Sequence, residues 1–411
     1  MLKAYKYRIY PNYEQRVLIE KHFGCSRFVF NWALALQKRY YAMFGKSLSR
    51  SKMQSHLVKK KKKAQFAWLN EVNSQSLLNA LLNVYTAFTN FFKGHAKFPR
   101  FKSKKIPQRS YQCPQHCTVN FEQGIINLPK IKGIKTVFSR EFVGNIKTVT
   151  ISKTATGKYY ASVLVDKADI LPTPTTIEPR LTVGIDLGIS HLLNLSDGSK
   201  FDNPKHLAKA SKRLAIQQKI FARKQKTSKN YQKQKLAVAR IHEKVRNARL
   251  DLHHKITHSL ICENQATSYA IEDLGVKNMV KNRKLAKAIN DVGWGQFVTL
   301  LTYKANWYGK NILKVSRFFA SSKICSHCHH KLDTLPLSVR HWTCPSCQTH
   351  HDRDTNAASN IRSQALADVA GRRTCYCVKS SSMPIPISVG GMAKGNNLGC
   401  YGSQRFPHHN R

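Results

Sequence analysis

Between residues 325 and 361 the chain reads Cys325-Ser-His-Cys328, fifteen residues, Cys344-Pro-Ser-Cys347, and then His351-Asp352-Arg-Asp354-Thr-Asn356-Ala-Ala-Ser-Asn360-Ile. Two C-x₂-C pairs at that separation have the spacing of a tetrahedral zinc ribbon, in which four thiolates close the coordination sphere and leave no open catalytic position. Cys325, Cys328, Cys344 and Cys347 are therefore the expected ligands of a structural Zn²⁺. His327, His329, His330, His350 and His351 are alternative ligands, but thiolates are softer and four of them suffice. An acidic helix start follows at once, in a chain with only 21 acidic residues among 411. Two further acids lie at the ends of expected strands: Asp186 in Gly184-Ile-Asp-Leu-Gly188, and Glu272 in Ile271-Glu-Asp-Leu274. Asp186, Glu272 and Asp354 form a set suited to phosphodiester hydrolysis. That reaction needs charge on the attacking and leaving oxygens neutralised by two hard cations about 4 Å apart, held by carboxylates from separate elements.

Each acid has a plainer reading. Gly-Ile-Asp-Leu-Gly also matches a first phosphate loop of actin-like ATPases, but no glycine-rich second loop follows. Glu272 and its neighbour Asp273 could each be a surface residue at a strand end. Asp352 and Asp354 compete for the third position, because helix N-caps also favour Asp. Asp354 is the favoured ligand and Asp352 the favoured cap, while Asn356 is a candidate for positioning a carboxylate or a water. Gly184 and Gly188 leave room for another backbone beside Asp186.

The elements that must carry these residues read as several α+β pieces. Residues 1–11 alternate as one strand ending at Pro11. Residues 12–100 turn helical, with Val17, Phe23, Val29, Trp32 and Leu36, and later Leu77, Leu81, Tyr85 and Phe88, at three- and four-residue steps. Residues 101–170 switch to short strands separated by glycines, a small barrel or curled sheet to which the first strand returns. Residues 171–180, with three prolines, read as a semi-rigid linker. From 181 a new α/β domain runs to 318, with a strand, a hairpin turned at Asp197-Gly198, and a helical pair over 205–262. Residues 319–350 hold the ribbon, 351–371 a final helix, and 372–411 a Gly-, Ser-, Pro- and His-rich flexible tail.

Charge narrows the partners. With 69 Lys+Arg against 21 Asp+Glu, the net charge is +48 and the isoelectric point about 10.2. Self-repulsion of that size suits a polyphosphate partner. From Lys200 to Lys255 alone there are seventeen Lys/Arg against Asp202, Glu243 and Asp251. Candidate phosphate contacts are Lys59, Lys60, Lys61, Lys62 and Lys63, expected in a loop, and Arg223, Lys224, Arg240 and Arg246 on the helical pair. No apolar run reaches about eighteen residues, which argues against a membrane role, and no signal peptide opens the chain. Of the eleven cysteines, Cys25, Cys113, Cys117, Cys262, Cys375, Cys377 and Cys400 are scattered, as in a reducing cytoplasm. Cys113 and Cys117 read as ordinary thiols.

These motifs resemble the TnpB (OrfB) family of insertion-sequence proteins. The resemblance rests on Gly184-Ile-Asp-Leu-Gly, Ile271-Glu-Asp-Leu, Asp291-Val-Gly-Trp-Gly-Gln-Phe, Tyr303-Lys-Ala-Asn-Trp-Tyr-Gly, Ser321-Ser-Lys-Ile-Cys-Ser-His-Cys and His351-Asp-Arg-Asp-Thr-Asn-Ala-Ala-Ser-Asn-Ile. Tyr-Arg-Ile-Tyr-Pro-Asn-Tyr-Glu-Gln near the start and Arg27-Phe-Val-Phe-Asn-Trp also fit, so that the match spans residue 1 to about 370. The resemblance implies a bacterial or archaeal RNA-guided DNA endonuclease related to type V CRISPR effectors. Its RuvC-type, RNase H-like domain would hold Mg²⁺ or Mn²⁺ on Asp186, Glu272 and Asp354. The barrel and helical insertion would be wedge and recognition domains that grip a guide RNA from the transposon end and read a short motif beside the double-stranded target. Base pairing would choose the sequence and leave a displaced single strand. Ribbon position 348 is Gln where many relatives carry Gly. Two other readings compete: an RNA-guided repressor that no longer cuts, although such a protein should have lost an acid, and a transposase acting on its own element's ends.

Overall fold

The computed structural model describes residues 1–105, 109–336 and 338–372; the expected flexible tail lies outside the described residues. Among these the chain forms two compact units. One comprises residues 2–153 and 159–167, the other residues 168–372 with residue 1 and the turn 154–158.

The first unit joins a sheet to a helical layer. Strand β1 (Leu2–Tyr10) ends at Pro11, and Asn12 then caps helix α1 (Tyr13–Phe44) in a reciprocal capping box with Gln15. Gly45, at φ 62°, ends that helix in the left-handed region. Helix α2 (Arg50–Lys62), a 3₁₀ turn (Ala64–Asn70) and helix α3 (Ser74–Phe92) follow, and their apolar faces close over Val29, Leu34, Met53, Leu57 and Leu77. The lysine run is therefore helical rather than a loop. Lys59–Lys62 form the last turn of α2, where cations favour the negative end of the helix dipole.

Strands β2 (Arg109–Cys113), β3 (Thr118–Asn120), β4 (Ile125–Leu128), β5 (Ile131–Val137), β6 (Asn145–Lys153) and β7 (Tyr159–Asp166) complete a seven-stranded antiparallel sheet in the order β2-β6-β7-β1-β5-β4-β3. The amino-terminal strand does return, pairing Leu2–Ile9 against Tyr159–Asp166. Glu20 of α1 takes Arg109, Lys153 and the Tyr159 hydroxyl at 2.6, 2.6 and 3.1 Å, which pins the helix to β2, β6 and β7.

The second unit is built on a mixed sheet of β8 (Thr182–Leu187), β9 (His191–Leu195), β10 (Lys200–Asp202), β11 (Ser268–Glu272) and β12 (Asn311–Val315), ordered β10-β9-β8-β11-β12. β8, β11 and β12 run parallel, whereas β8-β9-β10 is an antiparallel meander. The helices are α4 (His206–Ala222), α5 (Lys229–His258), α6 (Val276–Met279), α7 (Arg283–Val292), α8 (Trp294–Trp307) and α9 (Arg353–Arg372). Alternation along the strands sorts the two faces. Ile185, Leu187, Tyr269 and Ile271 join Ile256, Phe297 and Leu301 in one core, whereas Ala270 packs with Ile361 and Ala365 of α9 on the other side.

Gly184 shows why α9 can come so close. A Cβ there would collide with the Ala358 carbonyl. The proline-rich stretch has no regular secondary structure and is fastened to the α8–β12 turn, with Thr175 N donating to Gly309 O at 2.9 Å and Asn311 Nδ2 to Thr175 O at 2.8 Å. The ribbon lies between β12 and α9, with hairpin strands β13 (His341–Thr343) and β14 (His350–Asp352).

Candidate active site and cysteine cluster

Asp186 is the penultimate residue of β8 and Glu272 the last of β11. These strands are parallel neighbours with Ala270 opposite Gly184 and Ile271 opposite Ile185, so the register carried one step further sets Glu272 beside Asp186. Both share the sheet face that meets α9, whose first turn supplies Asp354. The three acids converge at the carboxyl ends of parallel strands, the place where open α/β sheets form their sites.

Their electrostatics record that convergence. Burial, then the charges of Glu272 and Asp354, push the Asp186 carboxyl up to about 7, although the fully buried Asn194 amide donates to it at 3.4 Å. Burial also raises Glu272, opposed by the Ser321 hydroxyl at 2.6 Å. Repelling, partly buried carboxylates are what a cation relieves, so this donor set fits hard divalent ions.

Asp352 behaves as the cap. Its Oδ1 accepts from the backbone N–H groups of Asp354 and Thr355 at 3.1 and 2.9 Å, and Lys200 pairs with Oδ2 at 2.7 Å. Burial alone would raise this carboxyl; Lys200 and the helix-start N–H groups bring it down to about 2. Asn356 does not position a carboxylate. Its Oδ1 accepts from Ser326 N at 2.9 Å and its Nδ2 donates to Ile324 O at 2.7 Å, because the ribbon backbone lies directly against this face of α9. Sequence reasoning missed Arg340, whose Nη1 lies 3.3 Å from Asp354 Oδ1. Only its place between the two cysteine pairs marks it in the sequence.

The cysteines form a closed cluster. Cys325, Cys328, Cys344 and Cys347 place their sulfurs within 4.8 Å of one another, with the 325–347 and 328–344 pairs at 3.6 Å. Zn–S bonds of 2.3 Å in a tetrahedron need S···S separations of about 3.8 Å, so the cluster fits zinc. Burial pushes the Cys325 thiol up to about 11, whereas the Thr349 hydroxyl and N–H draw Cys347 down to about 5. His351 is buried with Nε2 3.0 Å from Cys325 Sγ, as a hydrogen-bond partner of that sulfur. His350 instead bonds Thr343 and stacks on His341. No other group of three or more His, Cys, Asp or Glu side chains is this tight among the described residues.

The expected phosphate contacts divide. Lys60 lies over the Phe66 ring at 3.7 Å and near Trp32, and Lys61 donates to Ser74 at 2.9 Å, whereas Lys59, Lys62 and Lys63 are exposed. Arg223, Lys224, Arg240 and Arg246 are all exposed on the α4–α5 pair. The first unit also holds a cleft of about 250 Å³ whose lining mixes Phe23, Ala80 and Tyr111 with Arg27, Asn79 and Gln112, which the sequence did not single out. No described helix is long and apolar enough to cross a membrane.

Fold and sites together define a strongly basic α+β protein with a four-cysteine cluster and a group of converging acids. Comparison with known proteins agrees. Residues 162–283 match a family model described as "Probable transposase", and residues 294–361 match the Cas12f1-like TNB domain. Residues 1–46 match a helix-turn-helix model, although here they form β1 and one continuous helix. A protein of Streptomyces pristinaespiralis named "Putative RNA-guided DNA endonuclease" is 40% identical over 370 residues, covering 89% of this chain and 90% of its own. Its namesake InsQ of Escherichia coli K12 is 33% identical, covering 90% and 94%. A Cas12f1–sgRNA–target DNA complex has a similar fold, with a TM-score of 0.51 at 12% identity over 88% of this chain and 98% of that one. The chain belongs to the TnpB (OrfB) family.

Proposed function

We propose that this protein is an RNA-guided DNA endonuclease whose RuvC-like site cuts a target beside a short recognition motif. The observation that carries this is the convergence of Asp186, Glu272 and Asp354, with Asp186 raised to about 7 by burial and its acidic neighbours, in a chain of net charge +48. Two Mg²⁺ or Mn²⁺ ions held there would stabilise charge on the attacking and leaving oxygens. The chain's own groups set up that site. Asn194 orients Asp186, Ser321 orients Glu272, and Asp352 fixes the helix turn that presents Asp354. Arg340, half-exposed beside Asp354, adds a cationic donor that can accompany a phosphate into the cleft.

The seven-stranded sheet and its helical layer are assigned as wedge and recognition domains, and the cysteine ribbon as a structural Zn²⁺ module. Exposed Lys59, Lys62 and Lys63 and the α4–α5 arginines and lysine supply backbone contacts to guide RNA and target. The cleft with Asn79, Asn83, Gln112 and Arg27 has the amides and guanidinium that read base edges.

The test is cleavage of a plasmid carrying a guide-matched target, using protein purified with its element's RNA, in Mg²⁺ and in EDTA. Guide- and Mg²⁺-dependent double-strand cuts support the proposal. Guide-dependent retention without cutting points to a repressor, and guide-free action on element ends to a transposase.

A further inference from the structure

Glu272 is the last residue of β11. What holds it comes from the ribbon. Ser321, buried in a single 3₁₀ turn (Ser321–Lys323) at the ribbon's entry, donates its hydroxyl to Glu272 Oε1 at 2.6 Å. With Oε1 so engaged, Oε2 is the oxygen available to a cation.

Ser321 is itself clamped from α9. Buried Asn360 donates Nδ2 to Ser321 O at 2.8 Å and to Ile324 O at 2.6 Å. One turn earlier, Asn356 donates to the same Ile324 carbonyl and accepts from Ser326 N. Ile324 immediately precedes Cys325 of the thiolate cluster. A continuous set of hydrogen bonds, one buried and the rest partly buried, therefore runs from the residues flanking Cys325, through the 321–326 backbone and two asparagines of α9, to one acid of the proposed catalytic set. It joins the ribbon to both of the elements that carry Glu272 and Asp354.

We propose that Ser321 is a positioning residue for Glu272, and that through Asn360 and Asn356 zinc occupancy of the ribbon raises the affinity of the acidic cleft for hard cations. The proposal rests on the reading of that cleft as a divalent-ion site. Groups that orient a metal-binding carboxylate through its other oxygen are typically worth 10- to 100-fold in metal affinity. A single hydroxyl belongs at the lower end, so Ser321→Ala should weaken binding about tenfold.

The experiment is isothermal titration of Mn²⁺ into full-length, zinc-loaded protein stripped of divalent ions from the cleft, for the wild type, Ser321→Ala, Ser321→Thr and Asp186→Ala. Zinc content and melting temperature are measured on each. The expected result is a Mn²⁺ isotherm that Asp186→Ala abolishes and Ser321→Ala shifts about tenfold weaker. Ser321→Thr, which keeps the hydroxyl, should restore affinity to within about threefold, with zinc content the same throughout. In cleavage assays Ser321→Ala should raise the Mg²⁺ concentration for half-maximal rate by a similar factor, with the rate at saturating Mg²⁺ changed less than threefold. Zinc-depleted wild type should bind Mn²⁺ as weakly as zinc-loaded Ser321→Ala. Wild-type affinity in Ser321→Ala, with binding still lost in Asp186→Ala, would overturn the positioning role and leave the cleft standing. Unchanged binding in Asp186→Ala would overturn both.

Discussion

Replacing Asp186 with Asn removes a charge that the fold resists, so it should stabilise the metal-free protein while abolishing cleavage. The ordinary carboxyl value of 3.8 is raised to about 7 by burial and by Glu272 and Asp354. At 1.36 kcal/mol per pH unit this sets a ceiling of about 4 kcal/mol on the cost of ionised Asp186 above pH 7. Because the side chain keeps some solvent contact, screening reduces that to about 2 kcal/mol.

The sign follows from proton binding. Between roughly pH 4 and pH 7 the native state holds a proton that the unfolded chain has released, so wild-type stability falls as pH rises through that window. The variant lacks the effect. In EDTA, Asp186→Asn should therefore melt about 4–8 °C above wild type at pH 8, at about 2–4 °C per kcal/mol for a unit of this size. The gap should roughly halve at pH 5.5 and close near pH 4. Differential scanning fluorimetry of the two proteins side by side cancels the other titrating groups. Added Mg²⁺ should raise the wild-type midpoint and not the variant's. Equal midpoints at pH 8, or a gap that widens as pH falls, would refute the idea that Asp186 is held in a repulsive acidic cleft.

Alanine at Asp186, Glu272 or Asp354 should each reduce guided cleavage to background while RNA affinity, read by filter binding, stays within about twofold. Cys325→Ser should lose zinc by elemental analysis and lower the melting point; full zinc content would instead assign His351 as a ligand. Arg340→Ala should slow cleavage about tenfold or more with target binding unchanged, as expected for a cation acting on transition-state charge; an unchanged single-turnover rate would remove it from the site. Lys62→Ala should reduce the log–log salt dependence of RNA binding by about one, as one lost phosphate contact does, whereas Lys60→Ala should chiefly lower the melting point through its lost contact with Phe66.

Much of the second unit was legible in the sequence because its signals are local. Alternation marks β8 and β11, the C-x₂-C spacing marks the thiolate cluster, and Asp before a helical run marks the start of α9. The lysine run suggests a loop because charge dominates its composition, while the two apolar residues that anchor its helix, Met53 and Leu57, lie upstream. An amide near an acid has several uses, and only packing commits Asn356 to the ribbon backbone.

Residue types and their spacing along the chain determined on their own the four-cysteine cluster and the net charge of +48, and pointed to Asp186, Glu272 and Asp354 as a candidate set. These follow from neighbouring residues and from summed charge, which need no coordinates. Which oxygen of Glu272 is engaged, and that Arg340 and Ser321 lie beside the acids, were decided only by tertiary structure. Each depends on a pair of groups 49 or 14 residues apart, brought within hydrogen-bond reach because the ribbon and α9 pack against the carboxyl ends of β8 and β11, where Gly184 lets α9 sit close.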